Sequence, residues 1–293
     1  MLRFNLFVKG TLRKMMGSHP NESFFDSVSR NKFKILKAMP HHKYGNDELR
    51  RKLVEVGVRS GDCLMVHSSW RSFVGYSGCP ESVINIILDI IGERGTLLMP
   101  SNSPRNEVEF DVVNSANVSG VLSNVFSEFE GVERSCGSHF SVSGKGYLSK
   151  VLLQSHPRSL YGFDEHSPYG KFCKVQGSKV IFLGLGKKPT KISLLHRIGY
   201  EMREKPYFCN NFINGKHKTI IDKEGIKRKV PCLTRVGLKN SNSKIRKIID
   251  CIPNKYRPFS KVGHLDIVAF DTYATLDVAR ICADSNLYMY NKK

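Results

Sequence analysis

No apolar run in this chain reaches the roughly 20 residues that a membrane-spanning helix needs. The longest, Val83 to Ile91, is broken by Asn85 and Asp89. The opening segment, Met1-Leu2-Arg3-Phe4-Asn5-Leu6-Phe7-Val8-Lys9, is too short and too interrupted for a secretory leader. None of the eight cysteines form a Cys-x-x-Cys pair, which argues against a zinc ribbon or a dithiol redox motif. Several lie inside apolar runs, as Cys63 does before Leu64-Met65-Val66, and read as buried free thiols. These absences predict a cytoplasmic protein with no membrane span and no metal.

Familiar catalytic signatures are missing too. There is no Gly-x-Ser-x-Gly nucleophile elbow, no Gly-x-Gly-x-x-Gly dinucleotide loop and no His-Glu-x-x-His zinc site. Gly186-Lys187 invites a phosphate-loop reading, but Ile181 stands where the first glycine belongs and Lys188 where the hydroxyl residue belongs. Acidic residues are scarce: 26 Asp and Glu face 46 Lys and Arg, a net charge of +20. Such an excess favours phosphate-bearing ligands or polyanions without naming one. No RNA-binding aromatic motif accompanies it, so no specific nucleic-acid partner is predicted. Basic residues concentrate in residues 1–44 and again in 205–260, as in Lys227-Arg228-Lys229.

What is present is a strand–helix alternation. Cys63-Leu64-Met65-Val66-His67, Thr96-Leu97-Leu98-Met99-Pro100 and Lys179-Val180-Ile181-Phe182-Leu183 read as buried strands. Helices are predicted from Asn46 or Asp47 to Val56, from Pro80 to Ile91, from Val118 to Phe129, from Ile192 to Arg203 and from Thr275 to Ala283. This predicts an α/β sheet covered on both faces. The expected organisation is a basic appendage over 1–44 and one domain over 45–290, with a basic, partly β segment near 205–260.

Two strand ends carry candidate chemistry, because open α/β sheets bind ligands beyond the carboxyl ends of their strands. One is Val66-His67-Ser68-Ser69-Trp70-Arg71-Ser72, whose small hydroxyl residues let a thin ligand approach the backbone. The other is Gly184-Leu185-Gly186-Lys187-Lys188-Pro189-Thr190, leading to His196 near a helix start.

In order along the chain, these segments resemble the aminoglycoside 3-N-acetyltransferase family. The resemblance covers roughly residues 45–285. It runs through Val66-His67-Ser68-Ser69, the loop Gly75 to Gly78, Gly92-x-x-Gly95-Thr96-Leu97-Leu98-Met99-Pro100, Gly131-Val132-x-Arg134-Ser135, Ser141-Val142, Ser167-Pro168-Tyr169-Gly170-Lys171, Gly184, and Thr190 to His196. It implies a layered α/β sandwich of that family's type, distinct from the common GNAT acetyltransferases. It implies acetyl-CoA or another acyl-CoA as co-substrate and an amine acceptor on an amino sugar. Carried over residue by residue, His67, Ser68, Ser69 and Ser72 line the coenzyme side, together with Arg134 and Ser135. His196 matches the catalytic base, and transfer is direct within a ternary complex. A homodimer is left open.

Three departures stand out. The family pattern Arg-Ser-x-His-Pro becomes Arg134-Ser135-Cys136-Gly137-Ser138 here. The family's glutamate three residues after the histidine becomes Gly199, leaving Glu201 as the nearest carboxylate to orient His196. An acidic downstream stretch becomes the basic Lys227 to Lys229 region. A polycationic aminoglycoside is disfavoured beside unpaired like charge, so an acceptor linked to a nucleotide or phosphate is predicted. Two other readings are a coenzyme-A-holding member without turnover and a basic nucleic-acid-binding protein.

Overall fold

The computed structural model describes residues 31, 40–104, 107 and 109–292. The predicted appendage thus lies largely outside the described residues. Tyr44, at its end, is 3% exposed, and its backbone N–H bonds the Gly75 carbonyl at 2.9 Å.

A seven-stranded mixed sheet forms the centre. Its heart is three parallel strands: β1 (Cys63–Ser68) between β2 (Thr96–Pro100) and β6 (Lys179–Leu183). Beyond β2 run the antiparallel β5 (Val142–Gly146) and β4 (Glu133–Arg134). Beyond β6 run β13 (Leu265–Asp271) and β12 (Phe259–Val262), each antiparallel to its neighbour. The alternation of side chains along a strand divides the apolar residues between two faces. Leu64, Val66, Leu97, Met99, Ile181 and Leu183 join one core. Met65, Leu98, Val180, Phe182, Val268 and Phe270 join the other.

Helices cover both faces. The first face is closed by α1 (Asn46–Glu55), α2 (Pro80–Ile91) and α3 (Val121–Ser127), which bury Leu49, Leu53, Val83, Ile84, Ile87, Leu122 and Phe126. Pro80 opens α2, where its missing N–H costs nothing, and Gly92 closes it at φ 64°. The second face carries α4 (Ser149–Leu153), α5 (Pro168–Phe172), α6 (His196–Glu201), α7 (Asn242–Cys251) and α8 (Thr272–Asp284).

Several expectations shift in detail. The helix foreseen over 192–203 is a 3-10 turn, Ser193–Leu195, followed by α6. β5 starts only at Val142, because Phe140 adopts φ 52° and breaks the extended path. α7 was not foreseen: its Ile245, Ile248 and Ile249 share one buried face, but Lys244, Arg246 and Lys247 between them hide the period.

The basic segment makes small ribbons rather than a sheet of its own. β7 (Phe212–Asn214) pairs with β10 (Leu233–Arg235). β8 (Lys218–Ile221) and β9 (Lys227–Val230) form a hairpin, with β3 (Glu109–Asp111) beside β8. β11 (Leu238–Asn240) pairs with the final strand, β14 (Tyr290–Lys292). These ribbons bring Arg235 and Tyr290 to the start of α6.

Candidate active site

The two strand ends singled out in the sequence meet. β1 and β6 are parallel neighbours, with His67 opposite Phe182 and Ser68 opposite Leu183. The chain leaving β1 is tied to the chain leaving β6 twice. Ser69 N–H donates to the Leu183 carbonyl at 2.9 Å, and the Ser72 hydroxyl donates to the Gly184 carbonyl at 2.7 Å. Gly184 is required here: its φ is 73°, and a Cβ would lie 2.3 Å from the Ser72 Cβ. Ser72, 3% exposed, therefore works as an internal tie. Ser68 and Ser69 keep partial exposure. The His67 residue is likewise partly exposed, but its ring stacks on Phe182 at 5.1 Å, and burial pushes its pKa down to about 4.

The Arg134 and Ser135 side chains turn inward. The Arg134 guanidinium donates to the carbonyls of Ser101, Ser115 and Ala116 and sits 4.8 Å from the centre of the Phe110 ring. It clamps the backbone after β2. Ser135, 2% exposed, accepts the Val142 N–H at 2.9 Å and lies 2.8 Å from Nδ1 of His156. The His156 imidazole covers Gly137 so closely that a Cβ there would fall 2.4 Å from three ring atoms. Where the family pattern has a histidine at 137, this chain has a glycine with another histidine's ring over it.

His196 opens α6 and is 8% exposed. Its ring lies among Phe163 at 5.1 Å, Tyr290 at 5.7 Å and Phe140 at 6.2 Å between centroids. Phe140 reaches this position from a left-handed backbone conformation, and Gly162 admits its ring: a Cβ at 162 would lie 2.4 Å from Phe140 Cδ2. A bulky residue at positive φ costs on the order of 1–3 kcal/mol and persists where its surroundings fix it.

Two groups converge on Nδ1 of His196. The Tyr290 hydroxyl lies 2.6 Å away and an Arg235 guanidinium nitrogen 2.8 Å away. Tyr290 fits because position 199 is glycine: a Cβ there would stand 2.9 Å from Tyr290 Cε2 and 3.1 Å from its hydroxyl oxygen. Burial raises the Tyr290 pKa well above the usual phenol value, so the hydroxyl keeps its proton.

Glu201, expected to orient His196, does something else. Its carboxylate accepts from Arg197 Nε at 2.7 Å and Arg280 Nε at 2.9 Å. The reason is helical geometry. Residues five apart point about 140° away from each other, whereas Arg197 and Glu201, four apart, share a face. Burial alone would raise the Glu201 pKa, but Arg280 and Arg197 hold it below the usual range. Asp164, next to Phe163, is equally committed, accepting backbone N–H groups of Leu160, Tyr161, His166 and Ser167. Cations gather instead: Arg235 on the imidazole, and Lys244 donating to the Tyr290 carbonyl at 2.9 Å.

Arg235, Tyr290, His156 and Phe140 were not singled out in the sequence. The only sequence signal was negative: glycine at 137 and 199, where the family pattern has side chains. Which distant rings fill those places is a property of the folded chain.

The family model described as aminoglycoside 3-N-acetyltransferase matches residues 65–282. Aminoglycoside N(3)-acetyltransferase IV of a Salmonella species is 31% identical over 178 residues, covering 60% of this chain and 67% of its own length. The SPbeta prophage-derived aminoglycoside N(3')-acetyltransferase-like protein YokD of Bacillus subtilis (strain 168) is 27% identical over 156 residues, covering 45% of this chain and 57% of its own length. The aligned part thus spans between about half and two thirds of these relatives. Among solved structures, AAC-IIIb in a binary complex with CoASH superposes with a TM-score of 0.71 at 18% identity, over 84% of this chain and 98% of its own. YokD superposes at 0.70 and 21% identity, over 86% of this chain and 98% of its own. These likenesses show the layered α/β fold, and the match across residues 65–282 places the chain in the aminoglycoside 3-N-acetyltransferase family.

Proposed function

We propose that this protein transfers an acyl group from acetyl-CoA or another acyl-CoA to the amine of an amino sugar, and that the acceptor carries a phosphate or nucleotide. The observation that carries the second half is Arg235, a fixed positive charge in contact with His196. Glu201, on the same helix as His196, and Asp164, next to Phe163, are occupied by arginines and backbone donors. Several of the relatives above are named for aminoglycosides, which carry multiple positive charges. Here such a substrate would meet like charge, with Glu201 and Asp164 already engaged elsewhere.

The chemistry needs a base because an ammonium, with a pKa near about 10, has no lone pair to attack with. A neutral His196 accepts that proton. The freed amine adds to the thioester carbonyl, the tetrahedral intermediate collapses, and the coenzyme A thiolate leaves and takes up a proton. Donors around Ser68 and Ser69, at the mouth of the joined strand ends, fit the role of stabilising the oxyanion and thioester. Ser72 and Ser135 support the coenzyme side by holding backbone in place, and Arg134 does the same from within. The transfer is direct, with no acyl-enzyme. Such a reaction suits a cytoplasmic protein. Among the described residues, no helix is long and apolar enough to cross a membrane.

The test is a thiol-release assay with acetyl-CoA and three acceptors: glucosamine 6-phosphate, a nucleotide-linked amino sugar and gentamicin. Turnover is expected with the phosphate-bearing acceptors and to fall at least about 100-fold in His196→Ala. Preference for gentamicin would overturn the anionic acceptor. Full activity of His196→Ala would overturn the base.

A further inference from the structure

Nδ1 of His196 offers one bonding position, and two groups of different character compete for it. The Arg235 guanidinium carries only donors. At 2.8 Å it requires a lone pair on Nδ1, so the neutral ring must hold its proton on Nε2. An imidazole in that form has no free lone pair for a substrate proton. The Tyr290 hydroxyl, at 2.6 Å, can donate or accept. With Arg235 gone, it can accept a proton-bearing Nδ1, and Nε2 becomes the basic nitrogen.

Arg235 is held in a way that an anion can undo. It sits on a two-stranded ribbon and is partly exposed. Its other contacts are Asn240 Oδ1 at 3.4 Å, the face of the Tyr290 ring at 4.4 Å, and the nearby hydroxyls of Tyr161 and Tyr290. No carboxylate pairs with it among the described residues. A phosphate or carboxylate offers it bidentate, charge-assisted bonds, which exceed neutral ones roughly twofold in strength.

We propose that Arg235 is both the anion receptor for the acceptor and a gate on the base. An anionic acceptor draws Arg235 off Nδ1, the ring proton moves from Nε2 to Nδ1 through solvent, the Tyr290 oxygen accepts a hydrogen bond from Nδ1–H, and the bare Nε2 becomes able to deprotonate the amine. An amine without an anionic group leaves the gate closed. The enzyme would thus couple recognition of the phosphate to activation of its own base. Tyr290 is a positioning residue in this scheme, acting through His196. The inference rests on the base role of His196 put forward above.

The tautomer can be read directly, without turnover, by long-range ¹H–¹⁵N spectra of protein labelled at histidine, with His196 assigned through His196→Gln. Free wild-type protein is expected to show the proton on Nε2. Arg235→Gln, or wild type titrated with glucosamine 6-phosphate or inorganic phosphate, is expected to show it on Nδ1. The same tautomer in all these samples would overturn the gate. In kinetics, Arg235→Gln should lower the ratio of kcat/KM for glucosamine 6-phosphate to that for glucosamine at least about tenfold. An unchanged ratio overturns the receptor. An active His196→Ala would instead remove the function on which the gate rests, and the tautomer spectra would still report whether Arg235 controls the ring.

Discussion

Acidification from pH 7 to pH 5 should weaken the fold through His156 in a measurable way. The residue is 1% exposed, and burial pushes its pKa down to about 3, against about 6.5 in an unfolded chain. Between those values the unfolded chain binds a proton that the folded one refuses. The stability from a neutral buried His156 is thus fully present above about pH 6.5 and is lost as pH falls toward 3. Linkage puts the unfolded-state gain at about 2 kcal/mol at pH 5 and about 0.2 kcal/mol at pH 7 for one such histidine. His67 and His139, each pushed down to about 4, act in the same direction. Comparing wild type with His156→Gln isolates the single site, since the other two stay in both proteins. Urea unfolding at pH 7, 6 and 5 should give His156→Gln a loss about 2 kcal/mol smaller than wild type over that range. Parallel losses in the two proteins would refute the reasoning, because His156 would then be taking up its proton while folded.

Other outcomes follow from the same contacts. Gly199→Ala brings a Cβ to 2.9 Å from the Tyr290 ring, so acyl transfer should drop at least about tenfold while coenzyme A binding, read by calorimetry, holds. Glu201→Gln should lower stability by about 1–3 kcal/mol in urea, since Arg197 and Arg280 lose a charged partner, yet leave the His196 tautomer unmoved. Deleting residues 288–293 removes Tyr290 and unpairs β11, so it should abolish transfer and open the β10–β11 region to limited proteolysis.

The central sheet was legible because its strands are short apolar runs punctuated by glycine and proline, and local signals of that kind survive in any context. β1, β2 and β6 carry them, and so does α2, from Pro80 to Gly92. β13 was missed although Ile267 to Phe270 is apolar. It pairs antiparallel on the far side of β6, and nothing local says that a late strand returns to lie beside β6. Of the candidate site, the places of His196 and of the serines near β1 were legible, since they sit at a helix start and a strand end. Arg235 could not: it reaches His196 from a three-residue strand, and its meaning depends on a contact across 39 positions. Glu201 was named because it was the nearest carboxylate in sequence. Helical direction, rather than distance along the chain, decided where its oxygens went.

The rings seated over Gly137 and Gly199 bear on how this enzyme is engineered. In each place a glycine and a distant aromatic side chain form one unit, and the glycine can be replaced only together with its ring. Writing the family's residue back at either glycine, on its own, drives a side chain into a ring already there. Gly199→Glu becomes admissible only alongside a small residue at 290, and Gly137→His only alongside a small residue at 156. A sequence search that scores each position separately ranks both glycines as damage. A search by position in space finds the same two places filled by an imidazole and a phenol, delivered from other parts of the chain.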